Sequence, residues 1–360
     1  MKRASDSGTE GRARSRQKMR DTKVMRDNPT RRRLFAMLLL FVGAALLGLQ
    51  GCALPGAPTD RYAIVIGVAN YTYLPGDPCL YTDNDAVSMA ETLTKTHWLV
   101  QPELISPYQD TGATYDYKTS ATGSYISPTK SAIEKAFGDL ATSLKAQGRV
   151  ASTILVYFSG HGYQDPASLI GYLCPSDTTV ALDVSSMITI QELDSWINQV
   201  PATNRMAILD SCYSGYFVAP GQSVDAAPPA YLPADGQTVD GSLSTALANA
   251  STLFAQAISN ESDPSILTIA AAGARESSYG DSSFIVSPST DPHGVFTWFL
   301  LQADQNAETN GDKLVTATEA FAYARSQVLA QWDGNSNNTW LTFLPHISGG
   351  SGDIVLYDNR

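Results

Sequence analysis

Two short apolar segments, each ending in small residues around one reactive side chain, place the strongest constraint on the fold of this chain. The first covers residues 154–162 and reads ILVYFSGHG. The second covers residues 206–212 and reads MAILDSC. A continuous apolar run that stops at glycine or serine is typical of a strand buried on both faces of a parallel sheet. The two segments therefore predict neighbouring parallel strands.

His161 and Cys212 stand where these predicted strands end, which is where open α/β sheets bind ligands. A thiol is mostly protonated at neutral pH, although the thiolate is the nucleophile. A nearby imidazole accepts the thiol proton and can later pass it to a leaving amine. The N–H groups of Gly162 and Cys212 are candidates for stabilising an oxyanion. The alternative interpretation is a core histidine and a buried, inert cysteine.

At these residues the chain resembles the caspase-like cysteine peptidases, and within them the metacaspases. The His-Gly pair matches, and so does Asp-Ser-Cys-Tyr-Ser-Gly, in which Asp210 and Ser211 replace the Gln-Ala of caspases proper. Three further stretches agree: residues 63–68 as a first strand, 84–86 opening a helix, and 294–297 opening a late helix. The resemblance covers about residues 61–357 and implies a cysteine endopeptidase with His161 and Cys212 as its catalytic dyad.

Strand and helix patterns alternate along this region, which predicts an α/β fold. Together with the resemblance, the alternation predicts a caspase-like, mostly parallel six-stranded sheet with helices on both faces. The predicted strands are 61–68, 98–105, 154–158, 206–209, 265–272 and 353–357, and the predicted helices are 82–96, 128–147, 189–199, 295–303 and 317–331. Asp83 or Asn84 is the expected cap of the first helix. A long loop is expected at 106–127, and an insertion at about 218–264 carries a further candidate helix at 242–258.

Charge is distributed unevenly along the chain. Residues 1–33 hold 12 of the 24 lysine and arginine residues but only 4 of the 35 acidic ones, so the remainder has 12 basic against 31 acidic groups. An acidic body of this kind repels nucleic acid and attracts basic ligands. The terminal position of the basic segment favours a targeting role over nucleic-acid binding.

The segment after Arg33 has the layout of a signal peptide. Leu34–Leu49 is a run of 16 apolar or small residues, which is short for a membrane span. The sequence Leu49-Gln50-Gly51-Cys52 resembles a bacterial lipoprotein box, with Cys52 as the lipidated residue. We therefore expect a signal peptide at 1–51, a tether at 52–60 and a peptidase domain at 61–357. An uncleaved anchor is the alternative.

Two cysteines have no assigned role. If Cys52 carries lipid and Cys212 is the nucleophile, Cys79 and Cys174 remain. Export to an oxidising compartment permits a disulfide between them. Two free buried thiols are the equal alternative, since the sequence does not place their Cα atoms.

The resemblance also implies a substrate pocket. In metacaspases, the pocket for the residue before the scissile bond contains an aspartate two positions before the nucleophile and another near the start of the first helix. Asp210 and Asp85 match these positions. Two carboxylates in one pocket repel each other unless a cation lies between them, which favours Arg or Lys in the substrate. The alternative is a structural role, with Asp85 as a helix N-terminal acid and Asp210 as a hydrogen-bonded strand end.

Calcium is the one cofactor that the resemblance brings into question. Many metacaspases carry paired acids just before the helix that precedes the cysteine strand. Here that place reads Thr189-Ile190-Gln191-Glu192, and an isoleucine and an amide are poor calcium ligands. We therefore expect no metal site and no cofactor, with weak or absent activation by calcium.

Taken together, the residues and the resemblance lead us to expect an exported, lipid-anchored, monomeric cysteine endopeptidase that cleaves after Arg or Lys, without nucleic-acid binding. Its partners would be peptides or proteins with basic residues, and a bacterial membrane reached through Cys52. Two other functions stay open: a peptide-binding or scaffolding pseudo-peptidase, and a transpeptidase or ligase that uses the same dyad.

Overall fold

The computed structural model describes residues 60–73, 79–108, 125–165, 170–179, 183–212, 263–273, 277–285, 292–333, 343–350 and 354–360. The predicted signal peptide with Cys52, the helix at 242–258 and nearly all of the insertion at 218–264 lie outside these residues. Most of the predicted loop at 106–127 lies outside them as well. No helix among the described residues is both long enough and apolar enough to cross a membrane.

The described strands have between three and nine residues. They are β1 (Arg61–Val68), β2 (Leu99–Ser106), β3 (Ala151–Ser159), β4 (Gly162–Gln164), β5 (Gly171–Leu173), β6 (Ala202–Asp210), β7 (Ile266–Ala270), β8 (Gly280–Ile285), β9 (Pro292–Gly294), β10 (Leu314–Thr316), β11 (His346–Ser348) and β12 (Val355–Asp358). Six of them form the main sheet, in the order β11-β7-β6-β3-β1-β2. Its neighbours pair in parallel except β11, which is antiparallel to β7. The predicted mostly parallel six-stranded sheet is confirmed.

The helices connect these strands and cover both faces of the sheet. They are α1 (Thr82–Lys95), α2 (Lys130–Ala146), α3 (Ile190–Gln199), α4 (Val295–Asn306) and α5 (Ala317–Gln327). A 3-10 turn at Val184–Ser186 precedes α3, and a π-helical turn at Val328–Asp333 extends α5.

The buried central strands explain why the chain forms three layers. All eight residues of β1 are buried, and successive side chains point to opposite faces of a strand. Ala63 and Val65 join a core with α1, α4 and α5, whereas Ile64 and Ile66 join a second core with α2 and α3. An apolar run without alternation is therefore required, because both faces of the sheet are covered by helices.

Two of the predictions are wrong, one about the sixth strand of the sheet and one about the cap of α1. The sixth strand of the sheet is β11, not the predicted strand at 353–357, since β12 pairs with β10 in a separate two-stranded ribbon. The cap of α1 is Tyr81, in the left-handed region with φ 76°, and not Asp83 or Asn84. The carboxylate of Asp83 instead accepts the N–H of Tyr108 at 2.9 Å, which ties the start of α1 to the end of β2.

Candidate active site

His161 and Cys212 follow the two central strands of the sheet at equivalent positions. β3 and β6 pair in parallel up to Ser159 and Asp210, and each reactive residue lies two positions beyond its paired residue. The Gly160 N–H donates to the Asp210 carbonyl at 3.2 Å, so the two chains remain adjacent past the end of the ladder. The structure thus brings both predicted residues to the same end of neighbouring strands.

Gly162 lies directly against the backbone of Cys212. A Cβ at Gly162 would collide with the Cys212 carbonyl and lie 3.3 Å from the Ser211 hydroxyl. Gly162 also pairs with Leu173 in the β4–β5 hairpin, which the sequence did not predict. Both backbone groups of Leu173 bond to Ile188, and antiparallel ladders alternate bonded and non-bonded pairs. The hairpin therefore does not use the Gly162 N–H.

Tyr71 holds the backbone of His161, a role that sequence reasoning missed. Its hydroxyl accepts the His161 N–H at 2.7 Å, and the two ring centroids are 4.9 Å apart. Tyr71 is only 2% exposed, and burial raises the pKa of its hydroxyl well above the ordinary value. The ring is therefore a neutral, fixed support for the imidazole. Tyr71 lies between the predicted strand at 61–68 and the predicted helix at 82–96, where no sequence pattern indicated this contact.

The Cys212 thiol is partly buried beside the segment that precedes β8. Its Sγ lies 3.8 Å from the carbonyl oxygen of Ser278, in the geometry of a weak S–H donor. Burial raises the pKa of the Cys212 thiol, and hydrogen bonding with the Ser277 side chain and the Ser278 backbone offsets part of this effect. The resting group is thus a thiol, which needs a base before it can act as a nucleophile.

Asp85 lies in the first turn of α1 with its side chain turned into the protein. It is 1% exposed. Its Oδ1 accepts from the Gly294 N–H at 2.9 Å and lies 3.0 Å from His293 Nδ1, while its Oδ2 accepts from the Ser159 hydroxyl at 2.9 Å. These partners satisfy a carboxylate that burial would otherwise destabilise.

Asp210 ends β6 and is 5% exposed. Its Oδ1 accepts from the Ser278 hydroxyl at 2.5 Å, and its Oδ2 accepts from the Thr297 hydroxyl at 2.6 Å and the Thr297 N–H at 3.2 Å. The Tyr157 hydroxyl lies 2.6 Å from the Thr297 hydroxyl and extends this network. Burial, and next the charge of Asp85, raise the pKa of Asp210 to about 6.

The two carboxylates face one small space beside Gly294. A Cβ built on Gly294 would lie 2.8 Å from Asp85 Oδ2 and 3.0 Å from Asp210 Oδ2. The structure therefore brings together the two aspartates that the sequence singled out, although they are far apart in the chain. Sequence reasoning missed His293, Ser159 and Ser278, which hold them.

Comparison with known families decides the assignment. A family model described as the caspase domain matches residues 60–343. The chain belongs to the caspase domain family. Among solved structures, caspase-1 from Spodoptera frugiperda is similar with 11% identity and a TM-score of 0.49, covering 86% of this chain and 98% of that one. A search of curated proteins finds no match.

The other two cysteines of this caspase domain that the structure describes are free thiols. Cys174 is buried and Cys79 is partly buried. Burial raises the pKa of Cys174 to about 12 and also raises that of Cys79 well above its ordinary value. Of the two alternatives from the sequence, the structure has the free thiols, in forms that are poor nucleophiles at neutral pH.

Near the start of α3 in this caspase domain, the carboxylate of Glu192 is paired with the ammonium group of Lys130. Lys130 Nζ lies 2.8 Å from Glu192 Oε1 and donates to the carbonyls of Ser185 at 3.0 Å and Met187 at 2.6 Å. Burial alone would raise the pKa of Glu192, but hydrogen bonds from Lys130 and Thr189 lower it below its ordinary value. Among the described residues, no three His, Cys, Asp or Glu side chains cluster in a way that could hold a metal ion.

Proposed function

We propose that this caspase domain is a cysteine endopeptidase that hydrolyses peptide bonds after arginine or lysine. The observation that carries the proposal is the placement of His161 and Cys212 at equivalent positions after paired strands, together with two buried carboxylates that lie close to each other beside Gly294. Membership of the caspase domain family supports cysteine peptidase chemistry.

In the proposed reaction, the Cys212 sulfur attacks the carbonyl carbon of the scissile bond while His161 accepts the thiol proton. The N–H groups of Gly162 and Cys212 stabilise the oxyanion that forms. The carbon–nitrogen bond then breaks, the amine leaves with the proton from His161, and the acyl group remains on Cys212 as a thioester. Water attacks the thioester with His161 as base, which releases the acid and restores the thiol.

The preference for basic residues follows from the charge of the space beside Gly294. Asp85 and Asp210 are buried close together, and the charge of Asp85 opposes the ionisation of Asp210 by raising its pKa. Neither carboxylate has a lysine or arginine partner among the described residues. A substrate guanidinium or ammonium would relieve this repulsion, whereas a neutral side chain would leave it in place.

The pseudo-peptidase alternative is separated from the proposal by a turnover experiment. The purified protein is incubated with a fluorogenic peptide that carries arginine before the reporter group. We expect Cys212→Ala to lose turnover without unfolding and His161→Ala to lose about 10²–10⁴-fold. Cys79→Ala, which removes another free thiol, is the matched control. Substantial activity in Cys212→Ala would mean that the nucleophile is misassigned, and mass analysis of cleaved against spliced products tests the ligase alternative.

The chain is proposed to work as one uncut polypeptide. No lysine or arginine occurs between Arg205 and Arg275, a stretch that includes the insertion at about 218–264. An enzyme whose pocket requires a basic residue has no cleavage site there. We expect the intact mass of wild-type protein and of Cys212→Ala to stay unchanged on incubation. A cut within 218–264 that depends on Cys212 would contradict either the single chain or the basic specificity.

We further propose export and attachment to a bacterial membrane through a lipid on Cys52, with no cofactor and with a monomeric domain. The run Leu34–Leu49 followed by Gly51-Cys52 supports export. Metabolic labelling with a radioactive fatty acid tests it, because Cys52→Ala should abolish the label and move the protein to the soluble fraction. Label retained in Cys52→Ala would remove this proposal.

A further inference from the structure

Two residues that the catalytic dyad does not involve form one wall of the space between Asp85 and Asp210. His293 and Gly294 end β9, directly before α4, and β9 pairs with β8. His293 is completely buried. The imidazole contacts Asp85 and Gly294 lies against both carboxylates, so both residues bear directly on the pocket.

His293 orients Asp85. Its Nδ1 lies 3.0 Å from Asp85 Oδ1, and because an ionised carboxylate only accepts hydrogen bonds, Nδ1 carries the proton. The Gly294 N–H donates to the same oxygen at 2.9 Å. With two donors fixed on Oδ1, Oδ2 is the oxygen turned toward Asp210. The second ring nitrogen of His293 is 3.5 Å from the Ser88 hydroxyl, on the far side from the pocket.

Gly294 leaves the space between the carboxylates open. Its φ of −59° and ψ of 139° suit any residue, so the backbone conformation does not require glycine here. The requirement is spatial, because a Cβ would stand 2.8 Å from Asp85 Oδ2 and 3.0 Å from Asp210 Oδ2. A methyl group at this point would crowd both oxygens and narrow the space between the two carboxylates.

The two carboxylates beside Gly294 have one basic partner between them among the described residues. Six hydrogen bonds reach the two carboxylates, and among the described residues His293 is the only basic side chain that contacts either one. A single imidazole, bound to Asp85 only, leaves Asp210 without a basic partner. One further cation beside Asp210 would complete the set of basic partners.

We infer that His293 and Gly294 are positioning residues for basic specificity: His293 fixes Asp85 with Oδ2 facing Asp210, and Gly294 keeps the gap between them open for a guanidinium or ammonium group. This inference rests on the proposed cleavage after arginine or lysine. It adds two residues that act through the carboxylates and do not take part in bond breaking.

The test compares kcat/KM for two peptides that differ only in arginine or citrulline before the scissile bond. Citrulline has nearly the shape of arginine without its charge, so the ratio of the two values isolates recognition of charge. We expect Gly294→Ala and His293→Leu to lower this ratio at least tenfold. His293→Asn should keep most of it, because the asparagine amide nitrogen can replace Nδ1 as the donor. Ser88→Ala, on the outer side of the imidazole, is the control and should keep the wild-type ratio.

Different outcomes separate this inference from the proposed function. A wild-type enzyme without preference for arginine over citrulline would overturn both. A wild-type preference that survives unchanged in folded Gly294→Ala and His293→Leu would overturn the inference alone. Equal losses for both peptides would also overturn it, since they indicate a structural role. If one of the two variants does not unfold cooperatively on heating, it is not properly folded. The ratio measured for the other variant then decides whether the inference holds.

Binding of agmatine, the decarboxylated form of arginine, gives a readout without turnover. It is measured by calorimetry on the Cys212→Ala protein, and the heat of binding should disappear when Gly294→Ala or His293→Leu is added. Unchanged binding in both double variants would contradict the inference.

Discussion

Two groups of acidic residues in this domain differ in whether the chain itself supplies a positively charged partner. At the start of α3, Glu192 is paired with Lys130, a partly exposed residue of the chain itself. Beside Gly294, Asp85 and Asp210 are almost fully buried and have only His293 as a basic neighbour among the described residues. At Glu192 the ammonium group of Lys130 supplies the positive charge, so no additional cation is needed there. Where two buried carboxylates lack such a cation, the charge of Asp85 raises the pKa of Asp210, and under the proposed function the basic side chain of a substrate would relieve this repulsion.

The largest effect on this comparison is expected from Asp210→Asn, which removes one charge from the buried pair. A charge-assisted hydrogen bond contributes about 1.5–3 kcal/mol, which corresponds to about ten- to a hundredfold in kcat/KM for an arginine peptide. The variant should lose little activity on the citrulline peptide. Asp139→Asn, at an exposed acid paired with Lys135, is the control. An unchanged preference for arginine in Asp210→Asn would remove Asp210 from the pocket.

The acidity of Asp210 predicts how this preference changes with pH. Its pKa is raised to about 6, so the carboxyl is largely protonated at pH 5 and ionised at pH 7. The ratio of kcat/KM for arginine over citrulline should therefore rise about tenfold through pH 6 for one ionisation. Titration of the dyad affects both peptides equally and cancels in the ratio. A ratio that is flat from pH 5 to pH 7 would contradict the assignment.

The same raised pKa has a consequence for stability. The folded protein holds the Asp210 proton between about pH 4 and pH 6, where the unfolded chain has already released it. Stability from this group is therefore highest at acid pH and is lost as the pH rises through about 6. Asp210→Asn should flatten the change in melting temperature over this window. Some dependence should remain, since burial raises the pKa of Asp194 to about 6 as well.

How far the sequence predicts this molecule depends on the range of the interactions. The apolar runs of β1 and β3 are local patterns that match the observed burial almost residue by residue. The three-residue strand β11 has no such pattern, because its place in the sheet depends on its pairing with β7. Short strands of this kind are decided by tertiary contacts, which a local pattern does not contain.

The residues of the candidate active site also differ in whether a local sequence pattern predicts their role. His161 and Cys212 follow recognisable strands, so their placement at the same end of neighbouring strands follows from strand order. His293 contacts Asp85 across 208 positions, from a strand of three residues beside segments without strong periodicity. Tyr71 likewise reaches His161 across 90 positions. Residues that support a site through such long-range contacts carry no local signal of their role.

A smaller effect is expected from Lys130→Met, which removes the cation at the start of α3. The ammonium is partly exposed, and its pairing with Glu192 and the two carbonyls should be worth on the order of 1 kcal/mol in the free energy of unfolding. Lys135→Met is the matched control, since Lys135 forms an exposed pair with Asp139 that should contribute about 0.3–0.5 kcal/mol. Chemical denaturation of both variants measures the difference. Equal losses would mean that Lys130 is an ordinary surface lysine.

The smallest effect should come from added calcium. It tests the comparison at Glu192, where the chain supplies its own cation, and not at the buried pair of aspartates. The Glu192 carboxylate is bonded to Lys130 through Oε1 and accepts the Thr189 N–H through Oε2, so both oxygens are engaged. Calcium requires six to eight oxygen ligands, and the neighbouring Ile190 and Gln191 offer at most one amide oxygen from their side chains. We therefore expect EDTA or millimolar calcium to change cleavage of an arginine peptide by less than about twofold, in wild type and in Glu192→Gln alike. A many-fold gain with calcium in wild type would show that acids elsewhere in the chain bind the ion. Such a gain only in Lys130→Met would show instead that the ammonium occupies a site that calcium can take, which would make the internal cation the reason for calcium independence.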